Sequence, residues 1–170
     1  MKHTPKMLKH LTAPALALAL LCLPAAQPAG TAAAAFDAHY TSAFLQAQEQ
    51  EAGNLPNSDR GRYNLPALAI DPQLSHIARI KSQDMLDRGY FAHTSPTYGD
   101  VRAMLTHFGY PYTAASENIA RHSTVEKAQA AFLSSPAHRR NVLSTAYTKV
   151  GIGVAVAPAG YVYVTQIFCR

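Results

Sequence analysis

Residues 150–168 read VGIGVAVAPAGYVYVTQIF, and this stretch decides the class of the fold. Its first half alternates the large apolar residues Val150, Ile152 and Val154 with small ones, which is the period of a strand lying on a core. A Pro-Ala-Gly turn follows, and residues 161–168 then form a second run rich in β-branched and aromatic side chains. Two such runs joined by a short turn predict a C-terminal β-hairpin.

Upstream of the hairpin, apolar residues recur at helical spacing, so this part of the chain is predicted to be mainly helical. Gly53 is expected to end the first helix, and the polar, turn-rich segment 53–66 is expected to be an extended loop. The predicted helices are, in chain order, 36–52, 71–88, 100–108, 123–133 and 136–143. Helices followed by an antiparallel hairpin indicate an α+β domain.

The second predicted helix has a clear start and one unusual residue on its apolar face. Asp71 can cap the free N–H groups of the first turn, and Pro72 gives up no hydrogen bond at the first helical position. Lys81 falls between the apolar residues Ile77 and Met85. We expect Lys81 to bury its aliphatic stem and to keep its charge in water.

The N-terminus has the layout of a secretory signal peptide. Three lysines precede an apolar run at Leu11–Leu23, and the small residues of Ala32–Ala35 offer cleavage sites. The apolar run is short for a bilayer span, although a retained anchor is the alternative interpretation. Cleavage after Ala26 is possible, but the later site is favoured, so residues 1–35 are predicted to be the signal peptide and residues 36–170 a single domain without a membrane span.

Composition and charge exclude several classes of protein. The chain is 48% hydrophobic and 15% charged, which excludes a disordered chain. Its net charge of +5 falls to +2 when the three lysines of the leader are removed, and this is too little for a nucleic-acid binder. Cys22 lies in the leader, so Cys169 is the one cysteine of the mature domain, which is expected to be a monomer held together by its core.

Three polar residues stand out as a candidate site. His93 follows two aromatic residues in a segment stiffened by a proline, and His138 lies in the first turn of the helix that starts at Pro136. Glu117 precedes apolar residues, where a carboxylate needs a donor such as an imidazolium. The spacing alone leaves open whether the three side chains form one site, because no single helix can bring them together.

At these segments the chain resembles the CAP superfamily (cysteine-rich secretory proteins, antigen 5 and pathogenesis-related 1), in its small secreted bacterial branch. The resemblance implies a three-layer α-β-α sandwich with a central antiparallel sheet, and a cleft where His93, Glu117 and His138 meet. Ser135 stands nearest to the place of a second acidic residue that joins this cleft in relatives. The matching stretches are DPQL (71–74), SQDM (82–85), GYFAHTSP (89–96), ENIA (117–120), SPAHR (135–139) and VGIGV (150–154).

The expected function is a secreted binding module, extracellular or periplasmic and cell-wall associated, without enzymatic activity. His93, His138 and Glu117 are a ligand set that suits Zn²⁺, and the resemblance implies a lipid-like or cell-surface ligand in some branches. One alternative is a metal-dependent hydrolase of peptide or cell-wall substrates with Glu117 as general base, or with Ser95 as a nucleophile. Another is a purely structural network of the two histidines and Glu117.

Overall fold

A four-stranded sheet lies between two layers of helices in this computed structural model, which describes residues 47–170. The signal peptide predicted at residues 1–35 and the predicted helix start at residue 36 lie outside the described residues. The elements are, in chain order, α1 (47–62), β1 (Ala69–Ile70), α2 (Pro72–Asp87), α3 (Val101–His107), β2 (Ala115–His122), α4 (Val125–Ser134), α5 (Pro136–Val142), β3 (Lys149–Val156) and β4 (Val162–Cys169).

The sheet has the strand order β1-β3-β4-β2. The predicted hairpin is confirmed as β3 and β4, which pair antiparallel with Val154 opposite Val164. Strand β2 pairs antiparallel with β4 and forms one edge, whereas the two-residue strand β1 runs parallel to β3 at the other edge. The α+β class and the three-layer α-β-α sandwich are therefore confirmed, with β1 as the one departure from antiparallel pairing.

Helices α2 and α3 cover one face of the sheet. Asp71 caps α2 as predicted, because its side chain accepts hydrogen bonds from the backbone N–H groups of Gln73 and Leu74. Helix α2 approaches β3 very closely: a Cβ on Gly151 or Gly153 would lie 2.2 Å or 2.0 Å from backbone atoms of α2. The alternation in β3 therefore has a role on both faces of the sheet. The glycines allow α2 to approach closely on one face, and valine and isoleucine pack in the core on the other.

Helices α1, α4 and α5 cover the opposite face. The apolar residues of the hairpin that alternate with the glycines point here, and Val154 and Val164 pack with Phe132 of α4. On the α2 face, Cys169 ends β4 as a free, buried thiol, and burial raises its pKa to about 11. In residues 47–170, no helix is long and apolar enough to cross a membrane.

The prediction that residues 53–66 form a loop is wrong, because α1 continues through Gly53 to residue 62. Long-range contacts outweigh the turn-rich composition. Asn57 forms two hydrogen bonds with the backbone of Leu68, and the buried Arg60 binds backbone carbonyls near the end of α5. Tertiary hydrogen bonding of this kind routinely overrides local propensity.

Candidate functional site

The three candidate residues meet at the β2 edge of the sheet, and each comes from a different element. Glu117 lies on β2, two residues before Ile119, so both side chains share the face on which Ile119 packs with Met85 of α2. His93 lies in the loop between α2 and α3, and His138 lies near the start of α5 in the opposite layer. The site is therefore built where the two helical layers meet around an edge strand.

His93 and Glu117 form a direct hydrogen bond. The Nδ1 atom of His93 lies 2.8 Å from Oε1 of Glu117, and the Glu117 side chain is only 3% exposed, whereas that of His93 is 57% exposed. The ring of His138 lies beside them, with its centroid 6.4 Å from that of His93 and 5.5 Å from that of Phe132, which it meets edge to face. A buried carboxylate thus orients an exposed imidazole next to a second imidazole.

The environment displaces the pKa values of the two histidines in opposite directions. The hydrogen bond that His93 donates to Glu117, assisted by the charge of this carboxylate, raises the pKa of His93 against the opposing effect of burial. Burial, followed by the charge of His93, lowers the pKa of His138. Near neutral pH, therefore, His138 is the neutral imidazole of the pair, with a lone pair available, and His93 is the ring that holds a proton toward Glu117.

Lys81 anchors the loop that carries His93, and the expectation that its charge reaches water is wrong. The residue is fully buried, and its Nζ donates hydrogen bonds of 2.9 Å to the backbone carbonyls of Ala92 and His93. The ring of Tyr90 lies below the ammonium at 5.1 Å. Burial lowers the pKa of Lys81, and the charges of Glu117 and Asp84 partly offset this effect.

Asp84 fixes the rest of the same loop from the next turn of α2. Its carboxylate accepts hydrogen bonds from the hydroxyls of Tyr90, Ser95 and Thr97 and from the guanidinium of Arg88. Burial opposes ionisation, but these hydrogen bonds outweigh it and hold the pKa of Asp84 below its usual value. The Ser95 hydroxyl is buried and fully used in this network, so it is not placed to act as a nucleophile.

A second set of polar side chains holds α5 against β2 on the other face. The Asn118 side chain donates to the backbone carbonyl of His138 at 3.1 Å, and its own oxygen accepts from Asn141 at 2.8 Å. Asn118 also donates to Gln166, and the Gln166 amide in turn donates to Gln129 of α4. These buried amides fix the backbone of His138 as Lys81 fixes that of His93.

Ser135, the remaining predicted cleft residue, occupies the N-cap position of α5. Its side chain makes no capping hydrogen bond, and it lies three residues before His138. For residues 47–170, no group of three or more histidine, cysteine, aspartate or glutamate side chains is arranged to hold a metal ion. His93 and His138 are neighbouring donor rings, and Glu117, the third predicted ligand, is hydrogen-bonded to His93 in this arrangement.

The family comparison agrees with this architecture. Residues 54–168 match the family model described as CAP, the cysteine-rich secretory protein family. The chain belongs to this family. The matched region runs from α1 to β4, so it contains both helical layers, the strands of the sheet and all of the candidate site residues.

Its relatives are bacterial CAP, or SCP, domain proteins. The uncharacterized protein YkwD of Bacillus subtilis (strain 168) is 43% identical over 110 residues, which are 64% of this chain and 43% of that protein. The crystal structure of an extracellular protein containing an SCP domain from Bacillus anthracis (strain Ames) has a TM-score of 0.71 at 36% identity, covering 76% of this chain and 42% of that one. The chain thus spans less than half the length of either relative.

A more distant structure shows the same fold. An outer surface protein of Borrelia burgdorferi has a TM-score of 0.63 at 18% identity, and the match covers 68% of this chain and 86% of that one. At this level of identity the likeness concerns the CAP fold alone.

Sequence reasoning named the two histidines and Glu117 of this CAP site but missed the residues that hold them. Lys81 was placed on the correct helix face with the wrong environment, and Asp84 was not singled out, although it lies in the SQDM stretch at 82–85. Asn118 directly follows Glu117 and was also missed. The available signal was a lysine and an aspartate one helical turn apart on the buried face of α2. Charged side chains are rarely buried without partners, so this pair indicates a polar network.

Proposed function

We propose that this CAP domain is an extracellular binding module that takes a divalent metal ion, zinc by preference, between His93 and His138. The observation that carries the proposal is the 2.8 Å contact between Glu117 and Nδ1 of His93, beside a second imidazole. A carboxylate bound to one ring nitrogen directs the other nitrogen, Nε2, outward as a donor, and this is the usual support of a zinc-bound histidine.

The donor chemistry of the site fits a metal ion in three respects. His138 is kept neutral by burial, as a metal-ligating imidazole must be. The second oxygen of Glu117, Oε2, is buried without a hydrogen-bond partner among residues 47–170, so it remains able to accept a hydrogen bond from a group bound at the site. Two imidazoles supply two of the four ligands of a tetrahedral zinc ion, and the other two positions are left for water or for a bound ligand.

The distance between the rings requires a small adjustment. Two imidazoles on one tetrahedral zinc ion have centroids roughly 5 Å apart, given Zn–N bonds of about 2.0–2.1 Å. The observed separation is 6.4 Å, so the rings would have to approach each other by roughly 1 Å. The His93 side chain is more than half exposed and can make this movement without disturbing the core.

Zinc titration of the metal-free protein by calorimetry at about pH 7.5 tests the proposal. We expect His93→Ala and His138→Ala to abolish binding and Glu117→Gln to weaken it about 10- to 100-fold, as for other groups that orient a ligand. His76→Ala is the matched control, because His76 is exposed on α2 away from the site. Absence of zinc binding, or equal loss with the control, would refute the metal site.

The location and the wider partner are also proposals. The predicted signal peptide supports export, and the similar Bacillus anthracis protein is described as extracellular. A lipid-like or cell-surface ligand at the metal, as the CAP resemblance implies, would use the open coordination positions. Native mass spectrometry of the exported protein would reveal a bound metal or lipid, and a spectrum of bare polypeptide would count against both.

A metal-dependent hydrolase with Glu117 as the general base is the second candidate. The 2.8 Å contact between Glu117 and His93, a proposed ligand of the metal, favours it because it holds this carboxylate beside the metal position. Turnover of a peptide or peptidoglycan panel that is lost in Glu117→Gln, with folding intact, would support this candidate. If Glu117→Gln instead destabilises the protein strongly and leaves zinc affinity unchanged, the site is a structural network.

A further inference from the structure

Arg60 is a buried cation far along the chain from the histidine site, and the proposed function does not use it. The residue is only 2% exposed, although it lies near the C-terminal end of α1 and the residues that follow it, 61–64, are exposed. Within residues 47–170 the ion pairs involve other side chains, so no carboxylate neutralises Arg60. Burying a guanidinium without a counter-charge is costly, and burial indeed lowers its pKa.

Part of this cost is offset by helix α5. Nη1 of Arg60 donates to the carbonyls of Val142 and Ser144 at 2.9 Å and 2.6 Å, and Nε donates to the carbonyl of Pro66 at 2.8 Å. The first two carbonyls lie at the C-terminal end of α5, where the helix dipole favours a cation. These bonds explain why Arg60 is buried, but they occupy only Nε and Nη1 and bring no formal negative charge.

A hollow adjoins the guanidinium. It has a volume of about 180 Å³, which is room for several water molecules or one small ligand. Its walls contain no acidic residue, and apart from Arg60 they consist of Pro66, Ala67, Thr145, Tyr147 and Thr148. A cation with an unused nitrogen therefore borders a space that is walled by hydroxyl-bearing and apolar side chains.

We propose that this hollow binds a small oxyanion, a phosphate or a carboxylate group, through Nη2 of Arg60 and the hydroxyls of Thr145 and Thr148. An oxyanion supplies the counter-charge that the buried guanidinium lacks, and charge-assisted hydrogen bonds of this type are about twice as strong as neutral ones. Threonine hydroxyls can donate to the remaining oxygens. The site is independent of the metal site, because it shares no residue with it.

Titration with inorganic phosphate and with acetate, followed by amide chemical shifts at constant ionic strength set with chloride, tests the proposal. We expect saturable shifts at residues 66–67 and 145–148. Saturation by phosphate alone, by acetate alone or by both supports the site and identifies the chemistry of its ligand. No saturation by either anion, or the same shifts with chloride alone, would overturn it.

Arg60→Lys would remove hydrogen bonds that hold α5, so it would affect folding as well as anion binding. The test therefore uses variants of the threonines that line the hollow. Thr145→Val and Thr148→Val should each weaken anion binding roughly tenfold, the effect of removing one hydrogen bond to a charged group. Thr106→Val, at an exposed position on α3, is the matched control and should bind as the unmodified protein does. Zinc affinity should be unchanged in all three variants, so failure here is distinguishable from failure of the metal site.

Discussion

Replacing Gly153 with alanine tests how closely α2 packs on β3. A Cβ at this position would lie 2.0 Å from the backbone nitrogen of Arg79 and 2.2 Å from the carbonyl carbon of Ala78. Non-bonded carbon atoms prefer separations of about 3.5–4.0 Å, so the helix would have to retreat by roughly 1.5 Å along its length. The obstacle is main chain, and no rotamer change can relieve it.

The expected cost follows from this geometry. Overpacking a well-packed core usually costs about 1–3 kcal/mol, and occasionally more. Gly153→Ala displaces a whole helix whose residues Leu74, Ile77 and Ala78 are completely buried, so their packing loosens together. We therefore expect a loss of about 3 kcal/mol in the free energy of unfolding, at the upper end of that range.

Urea denaturation followed by circular dichroism measures this loss, and Gly53→Ala is the matched control. Gly53 lies inside α1, and a Cβ there would meet nothing within 4 Å. Alanine is favoured over glycine in a helix, so the control should gain about 0.5–1 kcal/mol. A Gly153→Ala variant as stable as the unmodified protein would refute the close approach, and a destabilised Gly53→Ala would refute the extension of α1.

Two further predictions concern the site. Lys81→Met removes the donor to the backbone carbonyls of Ala92 and His93. We expect the free energy of unfolding to fall by about 1–3 kcal/mol and amide exchange to become faster in residues 91–94. Unchanged exchange in these residues would contradict the anchoring role of Lys81. In metal-free protein, the hydrogen bond to Glu117 that raises the pKa of His93 also stabilises the folded state. This stabilisation is fully present below the pKa of histidine in the unfolded chain, about 6.5, and it is lost as the pH rises through the higher pKa of the folded protein. In urea denaturation, the difference in free energy of unfolding between the unmodified protein and Glu117→Gln should therefore shrink as the pH rises above about 6.5, and a difference that grows would contradict the raised pKa of His93.

The fold was largely predictable because its signals are local. The alternation in residues 150–156, followed by a turn and an apolar run at 161–168, predicts the hairpin, and the Asp71-Pro72 pair predicts the start of α2 within one residue. The prediction of where the first helix ends was wrong for a physical reason. The polar, glycine-containing second half of this helix is held by side-chain hydrogen bonds from Asn57 and Arg60 to distant backbone carbonyls. Composition reports the local preference of such a segment and contains no information about these partners.

The residues of the site also divide into those that could be predicted from the sequence and those that could not. His93, Glu117 and His138 could be named because each is an ionisable residue in an unusual local setting, and the CAP resemblance connected them. The environment of Lys81 could not be read from helical periodicity, since periodicity gives the face of a residue but not what the next loop places there. In the structure that loop turns two carbonyls toward the ammonium, and a buried charge replaces the expected exposed one.

The two imidazoles of the site are held by opposite layers of the sandwich. His93 depends on Lys81 in the α2 layer, and His138 depends on Asn118, whose side chain faces the α5 layer. Glu117, on the edge strand between them, forms a hydrogen bond with the ring of His93. A change in one layer is therefore expected to move the ring held by that layer more than the other ring. The separation of the two rings therefore depends on both helical layers and on the edge strand β2 that lies between them.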